Sequence, residues 1–569
     1  MIVDGSGGPG RRADLGVSDG RVIAIGDLDA STTATTTIDA RDRIVAPGFI
    51  DIHTHYDAQI LWDRLLSISP WHGVTTVVIG NCGFGLAPTR PSHRDLVLRT
   101  LEKVEGMSLA ALEAGCGTDW AFETFPQYLD AIERRGMAIN VGALIGHTPL
   151  RLFVMGEAAT ERAATADEID RMRAIVKDAV AAGALGFASS KAPTHVGYGG
   201  KPVPSRQAAF EELLAIAGAL GELRQGIIQS TAGPGLFFDE FETLARETGR
   251  PVTWTALLAG MMGPGSHRML LQRVEQTIRA GLPVHPQVAC RPLVFEFDLA
   301  EQFVFESMPI FQPISAADRA GKARLYRDPA FRQQMKDALV GRAAGVFPFS
   351  WERVWITWCP SDRSVEQQRL SDVARDRGVD PVDLLFDLGL ASDLTTRFRQ
   401  EIVNFDEDEV AELLLHPDTI IGLSDAGAHA NQLCDACFAT HLLGHWVRER
   451  GTLTLEQAVW MLTGRAADFL RLPDRGRLLV GRPADITVFD PTQVGAGAVR
   501  RVNDLPAGAE RLVVDAIGID AVIVNGRIIR RDGQDVCDPA GPLPGQLLRS
   551  RPDAQSPTQP NEPTTRGGG

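Results

Sequence analysis

Apolar residues along this chain gather into short continuous runs, and stretches with helical spacing separate one run from the next. The runs are IVAPGFIDIH, GVTTVVIG, INVGALIG, GALGFASS, GIIQS, PVTWTALL, LPVHPQV and TIIGLSD. Segments of that length, apolar on both faces, are how parallel strands covered by crossover helices read in sequence. The intervening segments supply the helices: TADEIDRMRAIVKDAVAA opens on Thr165 and acidic residues before an amphipathic stretch, the pattern of a capped helix start. The eight runs predict an α/β fold, a (β/α)8 TIM-type barrel with insertions, over residues 46–470.

The two ends read differently. Short β-like pieces, GRVIAIGDLD and TTTIDA near the start, RGRLLVGRPADITVFD and DAIGIDAVIVNGRII near the end, are broken by Gly and Asp turns and carry no helical period. Residues 1–45 and 471–535 therefore predict one small β-sandwich built from both ends. Residues 536–569 are dominated by Pro, Gly, Ser, Thr and Gln, a composition that buries too little apolar area to order itself, and predict a disordered tail.

Composition acts mainly by exclusion. Hydrophobic residues at 44% and charged residues at 23% suit a soluble enzyme, and no run approaches the ~18 apolar residues of a membrane span. A formal net charge of −15 argues against nucleic acid, whose phosphates call for a basic surface. The N-terminal MIVDGSGGPGRRADLGVSDG has no apolar secretory core, so a cytoplasmic location is expected. Seven scattered cysteines, an odd number, suit reduced thiols, and the CDAC run at Cys434 to Cys437 lacks the second CxxC of a structural zinc site.

His53 and His55 close the first barrel-type run. Residues i and i+2 of a strand share a face, and the C-terminal strand ends form the active face of a barrel, so this pair predicts a metal site.

At this point the chain resembles a known family. APGFIDIHTHYDAQ, the later GLSDAGAH and the terminal GRPADITVFD, in that order, resemble the amidohydrolase superfamily over nearly the whole chain. HYDAQ, HGVTTVVIGNCGFGLAP, the spacing from Ala182 to Phe187 and KPVPSR resemble more narrowly the N-acyl-D-amino-acid deacylase (D-aminoacylase) group. The resemblance implies a zinc-binding barrel with a β-sandwich from both ends, hydrolysing a carbon–nitrogen bond other than a peptide bond. Asp425 matches the catalytic aspartate, able to take a proton from the attacking water and return it to the leaving nitrogen. Cys82 in GNCGFG matches a ligating cysteine. Further histidine ligands, which deacylase-type members carry after the fifth and sixth strands, are missing: GIIQSTAGPG and PVTWTALLAG offer Gln229, Ser230, Trp254 and Thr255, none a strong transition-metal ligand. The expectation is one zinc ion on His53, His55, Cys82 and Asp425, with a second ion in question. The resemblance also implies that relatives begin with one more strand, so the start at Met1 reads as late.

Substrate contacts are expected from His147, Lys191, His195, Tyr198, Arg206 and His429, with His285 and Arg151 as further pocket candidates. Lys191, Arg206 and Arg151 are the cations offered for a substrate carboxylate. The expected partner is a small-molecule amide, with no nucleic acid and no membrane, and homo-oligomerisation is left open. Deacylation of an N-acyl-(D-)amino acid leads; a cyclic-amide hydrolase of hydantoinase or dihydropyrimidinase type and a barrel-fold pseudoenzyme are the alternatives.

Overall fold

The computed structural model describes residues 1–29, 31–118, 120–340, 343–344 and 347–553. Each predicted apolar run becomes a barrel strand: β1 (Phe49–Asp51), β2 (Val74–Ile79), β3 (Asn140–Gly146), β4 (Gly186–Ser190), β5 (Ile227–Thr231), β6 (Val252–Thr255), β7 (Val284–Val288) and β8 (Ile420–Ile421). All pair in parallel with their sequence neighbours. A bridge between Thr54 and Ala426 joins the two ends of the sheet, and the His55 N–H donates to the Ala426 carbonyl at 2.7 Å. Strand β2, VTTVVI, is buried along its whole length, as a strand between helices and a filled barrel must be. The helix predicted to start at Thr165 does so, with a reciprocal Thr165–Glu168 capping box.

Both chain ends feed the small β layer. Its five-stranded antiparallel sheet combines Ile44–Pro47 with Ile486–Phe489, Ile519–Val524, Arg527–Arg531 and Gln534–Asp535, and Ile2, Val22, Val488 and Ile523 fill its core. Between β7 and β8 an insertion carries its own antiparallel sheet of Leu293–Phe297, Val354–Trp358, Gln368–Arg369 and Arg397–Val403. Phe305, Tyr326, Phe331 and Phe386 pack beneath it in a separate core.

The tail differs from the sequence expectation. Residues 536–553 are placed against the barrel base, and Leu547–Leu548 pairs in parallel with Val141 and Gly142 of β3. The physical reason is a gap in the sheet: β3 meets β2 through Asn140–Ala143 but β4 only through Leu144–Gly146, which leaves a strand edge that two buried leucines fill. Asp553 then pairs with Arg250 and Arg471. The rest of the predicted tail, 554–569, lies outside the described residues. Among the described residues no helix is long and apolar enough to cross a membrane.

Candidate metal centre

The barrel closure that joins β1 to β8 also assembles the site. Ser424 donates its hydroxyl to the His53 carbonyl at 3.1 Å and accepts the Ala426 N–H at 3.1 Å, so Asp425 is carried directly over the two histidines. Asp425 Oδ1 lies 3.2 Å from His53 Nε2 and 3.8 Å from His55 Nε2. Leu423, Asp425 and His429 all take positive φ, at 62°, 46° and 48°, a concentration of unfavourable backbone that clusters at functional sites.

Cys82 arrives from the turn after β2. Its own φ is 55°, and flanking glycines make the turn feasible: a Cβ on Gly80 would lie 2.1 Å from the Leu144 carbonyl oxygen, and one on Gly83 2.9 Å from that of Ala188. The turn is pinned from two sides, by Asp57 accepting the Gly80 N–H at 3.1 Å and by Gln229 Oε1 accepting the Cys82 N–H at 2.7 Å. Gln229, which stands where the sequence lacks a further histidine, thus holds the loop that carries Cys82.

The donor atoms of His53, His55 and Cys82 all lie within 4.8 Å of one another and all three residues are buried. A tetrahedral zinc ion with nitrogen at ~2.0–2.1 Å and sulfur at ~2.3 Å spaces its ligand atoms roughly 3.3–3.6 Å apart. His53 Nε2 and His55 Nε2 are 3.3 Å apart, and Cys82 Sγ is 3.5 Å from His53 Nε2. The donor set therefore fits such an ion. Each histidine is also oriented from behind: Gln287 on β7 meets His53 Nδ1 at 2.7 Å, and buried Glu105 lies 3.3 Å from His55 Nδ1, the outer-shell arrangement that fixes ring orientation at metal sites. Burial alone would raise the Cys82 thiol pKa, but pairing with His53 and His55 outweighs it and holds the thiol at about 7. Burial likewise opposes ionisation of Asp425, and the surrounding histidines overcome it and lower its pKa.

Beside this group opens a cavity of about 380 Å3, bordered by His53, Cys82, Asp425, His195 and His429. His195 is held by Ser190 at 2.6 Å, and burial drives its pKa down to about 3, so it faces the cavity as neutral imidazole. His429 sits between Phe295 and Phe303, with ring centroids at 5.2 and 4.9 Å.

The other sequence candidates fall outside the cavity lining. His147 bonds Ser189 and Glu212, both at 2.9 Å, and Arg151 pairs with the same carboxylate. Lys191 donates to the carbonyls of Arg206 and Ala208, and Arg206 donates to those of Pro193 and His195. Tyr198 is exposed against Arg99, and His285 bonds the Asp418 carbonyl at 2.9 Å. The cation that does border the cavity is Arg291, three residues beyond β7, whose Nε donates to Asp435 at 2.8 Å.

An amidohydrolase family model matches residues 36–530. D-aminoacylase of Alcaligenes xylosoxydans xylosoxydans is 31% identical over 536 residues, covering 92% of each chain. Among solved structures, an N-acyl-D-glutamate deacylase from Bordetella bronchiseptica, complexed with zinc and a phosphonate mimic of the tetrahedral intermediate, is 28% identical with a TM-score of 0.66 and covers 96% of this chain and 98% of its own. A D-aminoacylase structure, described for its binuclear metal centre with one-metal activation and second-metal attenuation, is 27% identical with a TM-score of 0.65 over the same shares. The chain belongs to the amidohydrolase family, in its D-aminoacylase group.

Proposed function

We propose that this enzyme removes the acyl group from the nitrogen of a D-amino acid at a single zinc ion held by His53, His55, Cys82 and Asp425. The observation that carries the reading is the near-tetrahedral spacing of the His53, His55 and Cys82 donor atoms beside the cavity, with Asp425 next to both histidines. A divalent ion held there would supply Lewis acidity and make water more acidic at neutral pH. Asp425, adjacent to both histidines, accepts the proton of the attacking water and returns it to the leaving amine. His195 stays neutral and offers a hydrogen bond to the substrate. Arg291, with Nε committed to Asp435, has its terminal N–H groups for the substrate carboxylate, a geometry suited to a guanidinium.

One ion is favoured over two by what occupies β5 and β6. Gln229 is committed to the Cys82 backbone, and Trp254 is packed among Phe237, Phe238 and Phe241. A linear amide is favoured over a cyclic one because the full-length relatives are named as deacylases. The free state of all seven cysteines suits a reducing cytoplasm.

Metal analysis of the purified protein, together with assays on paired N-acyl-D- and N-acyl-L-amino acids, tests the reading. About one zinc per chain and turnover of the D series are expected. Metal-free protein without turnover, or His53→Ala equal to the parent, overturns it.

A further inference from the structure

The apolar walls of the cavity are of two kinds. On one side Val104 and Phe295 are buried and Leu293 and Phe303 half-buried, and none of these bordering residues is exposed. On the β5 and β6 side the wall runs outward. Trp254 and Leu257 are each 1% exposed, whereas Phe237 at 37% and Met262 at 57% reach solvent. Met261 and Leu270 are half-buried. This is an apolar track that leads from the metal centre to solvent.

The two walls suit two different substituents. An amino-acid side chain has a bounded length and fits a closed chamber beside the carboxylate contact. An open-ended track fits a chain whose far end emerges into water. Resting on the deacylase reading above, we infer that the β5–β6 track is a subsite for a linear aliphatic acyl chain, longer than acetyl. Trp254, on β6 where the sequence lacks a histidine, is part of this wall, and the Phe237 ring packs against it at 5.9 Å. Among the described residues no charged side chain borders the cavity between Thr231 and Leu270, and the polar groups there are the hydroxyls of Thr231, Thr255 and Ser266 and the indole N–H of Trp254.

The consequence is a chain-length dependence. Each methylene buried along the track adds about threefold to fourfold to binding. Because the chain contacts are equal in ground and transition states, the gain enters as a lower KM with little change in kcat.

Two measurements test this. In the first, kcat and KM are compared for acetyl, butanoyl, hexanoyl and octanoyl derivatives of one D-amino acid, with the parent and with Met262→Asp, a substitution at an exposed position that leaves the fold intact. A falling KM along the series, with the slope flattened for the longest chains in Met262→Asp, is expected; turnover with a flat or rising KM overturns the inference and leaves the deacylase reading standing. In the second, octanoate and acetate are compared as ligands of the zinc-loaded protein by thermal shift. Preferential binding of octanoate supports the track even where no N-acyl-D-amino acid is turned over, a result that would sink the deacylase reading alone. Equal binding of the two acids overturns the track.

Discussion

Two buried histidine clusters lie around the barrel, and they differ in what their polar atoms do. At β3 and β4, His147 donates or accepts at both nitrogens, to Ser189 and Glu212, and Arg151 spends its terminal nitrogens on Glu212 and on the carbonyls of Ala159 and Arg162. The ring nitrogens of His147 and the terminal nitrogens of Arg151 are thus all paired, and Arg151 Nε is left without a partner among the described residues. At β1, β2 and β8 the geometry is the reverse. His53 Nε2, His55 Nε2 and Cys82 Sγ converge with Asp425 Oδ1 beside the two histidines, while hydrogen-bonding partners such as Gln287 sit behind the rings. Buried charge that satisfies itself reads as architecture; buried donors held from behind and left converging read as a ligand site.

The contrast is broken most severely at its catalytic end. Replacing Asp425 by Asn keeps the shape but removes the proton acceptor, and a fall in kcat of roughly 10²–10⁴-fold is expected, with the thermal midpoint close to that of the parent. Steady-state assays beside scanning calorimetry check both halves. An Asn variant that turns over normally would remove Asp425 from the chemistry.

Glu212→Gln is the mirror experiment. It leaves Arg151, fully buried, without its counter-charge, and breaking a buried pair from one side costs roughly 3–5 kcal/mol. Urea unfolding is expected to show that loss, whereas KM and kcat measured well below the unfolding transition stay near the parent's. A variant that keeps its stability but loses activity would move His147 and Arg151 back into the substrate site.

A smaller effect lies behind the rings. Glu105→Ala removes the carboxylate beside His55 Nδ1 without touching a ligand atom, and metal affinity is expected to fall by about 10–100-fold. Competition with a chromophoric chelator measures it. An unchanged affinity would make Glu105 a bystander and leave ring orientation to packing against Phe84.

How far the sequence anticipated this molecule follows from how local each feature is. His53 and His55 are legible because strand alternation alone puts them on one face, and Asp425 because it ends the last barrel run. Arg291 is invisible at that level, since it becomes a pocket cation only through Asp435, 144 residues along the chain. Glu105 ends the helix Arg94–Glu105 in a long β2–β3 connection, and nothing in its neighbours signals His55. Lys191 and Arg206 look available in sequence because cations usually are, but neighbouring carbonyls absorb their N–H groups. The tail misleads for a similar reason: its composition hides Leu547 and Leu548, which order only because β3 offers an edge.

The finest test of the contrast is pH. Burial opposes ionisation of Glu212, yet the hydrogen bond from His147 and the charge of Arg151 outweigh it and lower its pKa from 4.5 to about 2. Burial lowers the His147 pKa as well, so the imidazole is a neutral donor and the ion pair belongs to Arg151. A carboxylate whose pKa is depressed on folding stabilises the fold fully above its unfolded pKa and loses that contribution as pH falls through the folded one. The window for Glu212 therefore runs from about pH 4.5 down to about 2. Glu212 also raises the His147 pKa against burial, so removing the carboxylate lowers it further and His147 contributes to the difference between the two proteins. The Glu212 contribution to the stability gap between parent and Glu212→Gln is thus expected to be lost as pH falls from about 4.5 towards 2. Chemical unfolding of metal-stripped samples at each pH isolates the effect from ligand release at Cys82 and the histidines. A gap that stays constant to pH 3 would mean that Glu212 is not held as an anion, and the cluster at β3 and β4 would lose the charge closure that sets it apart from the metal centre.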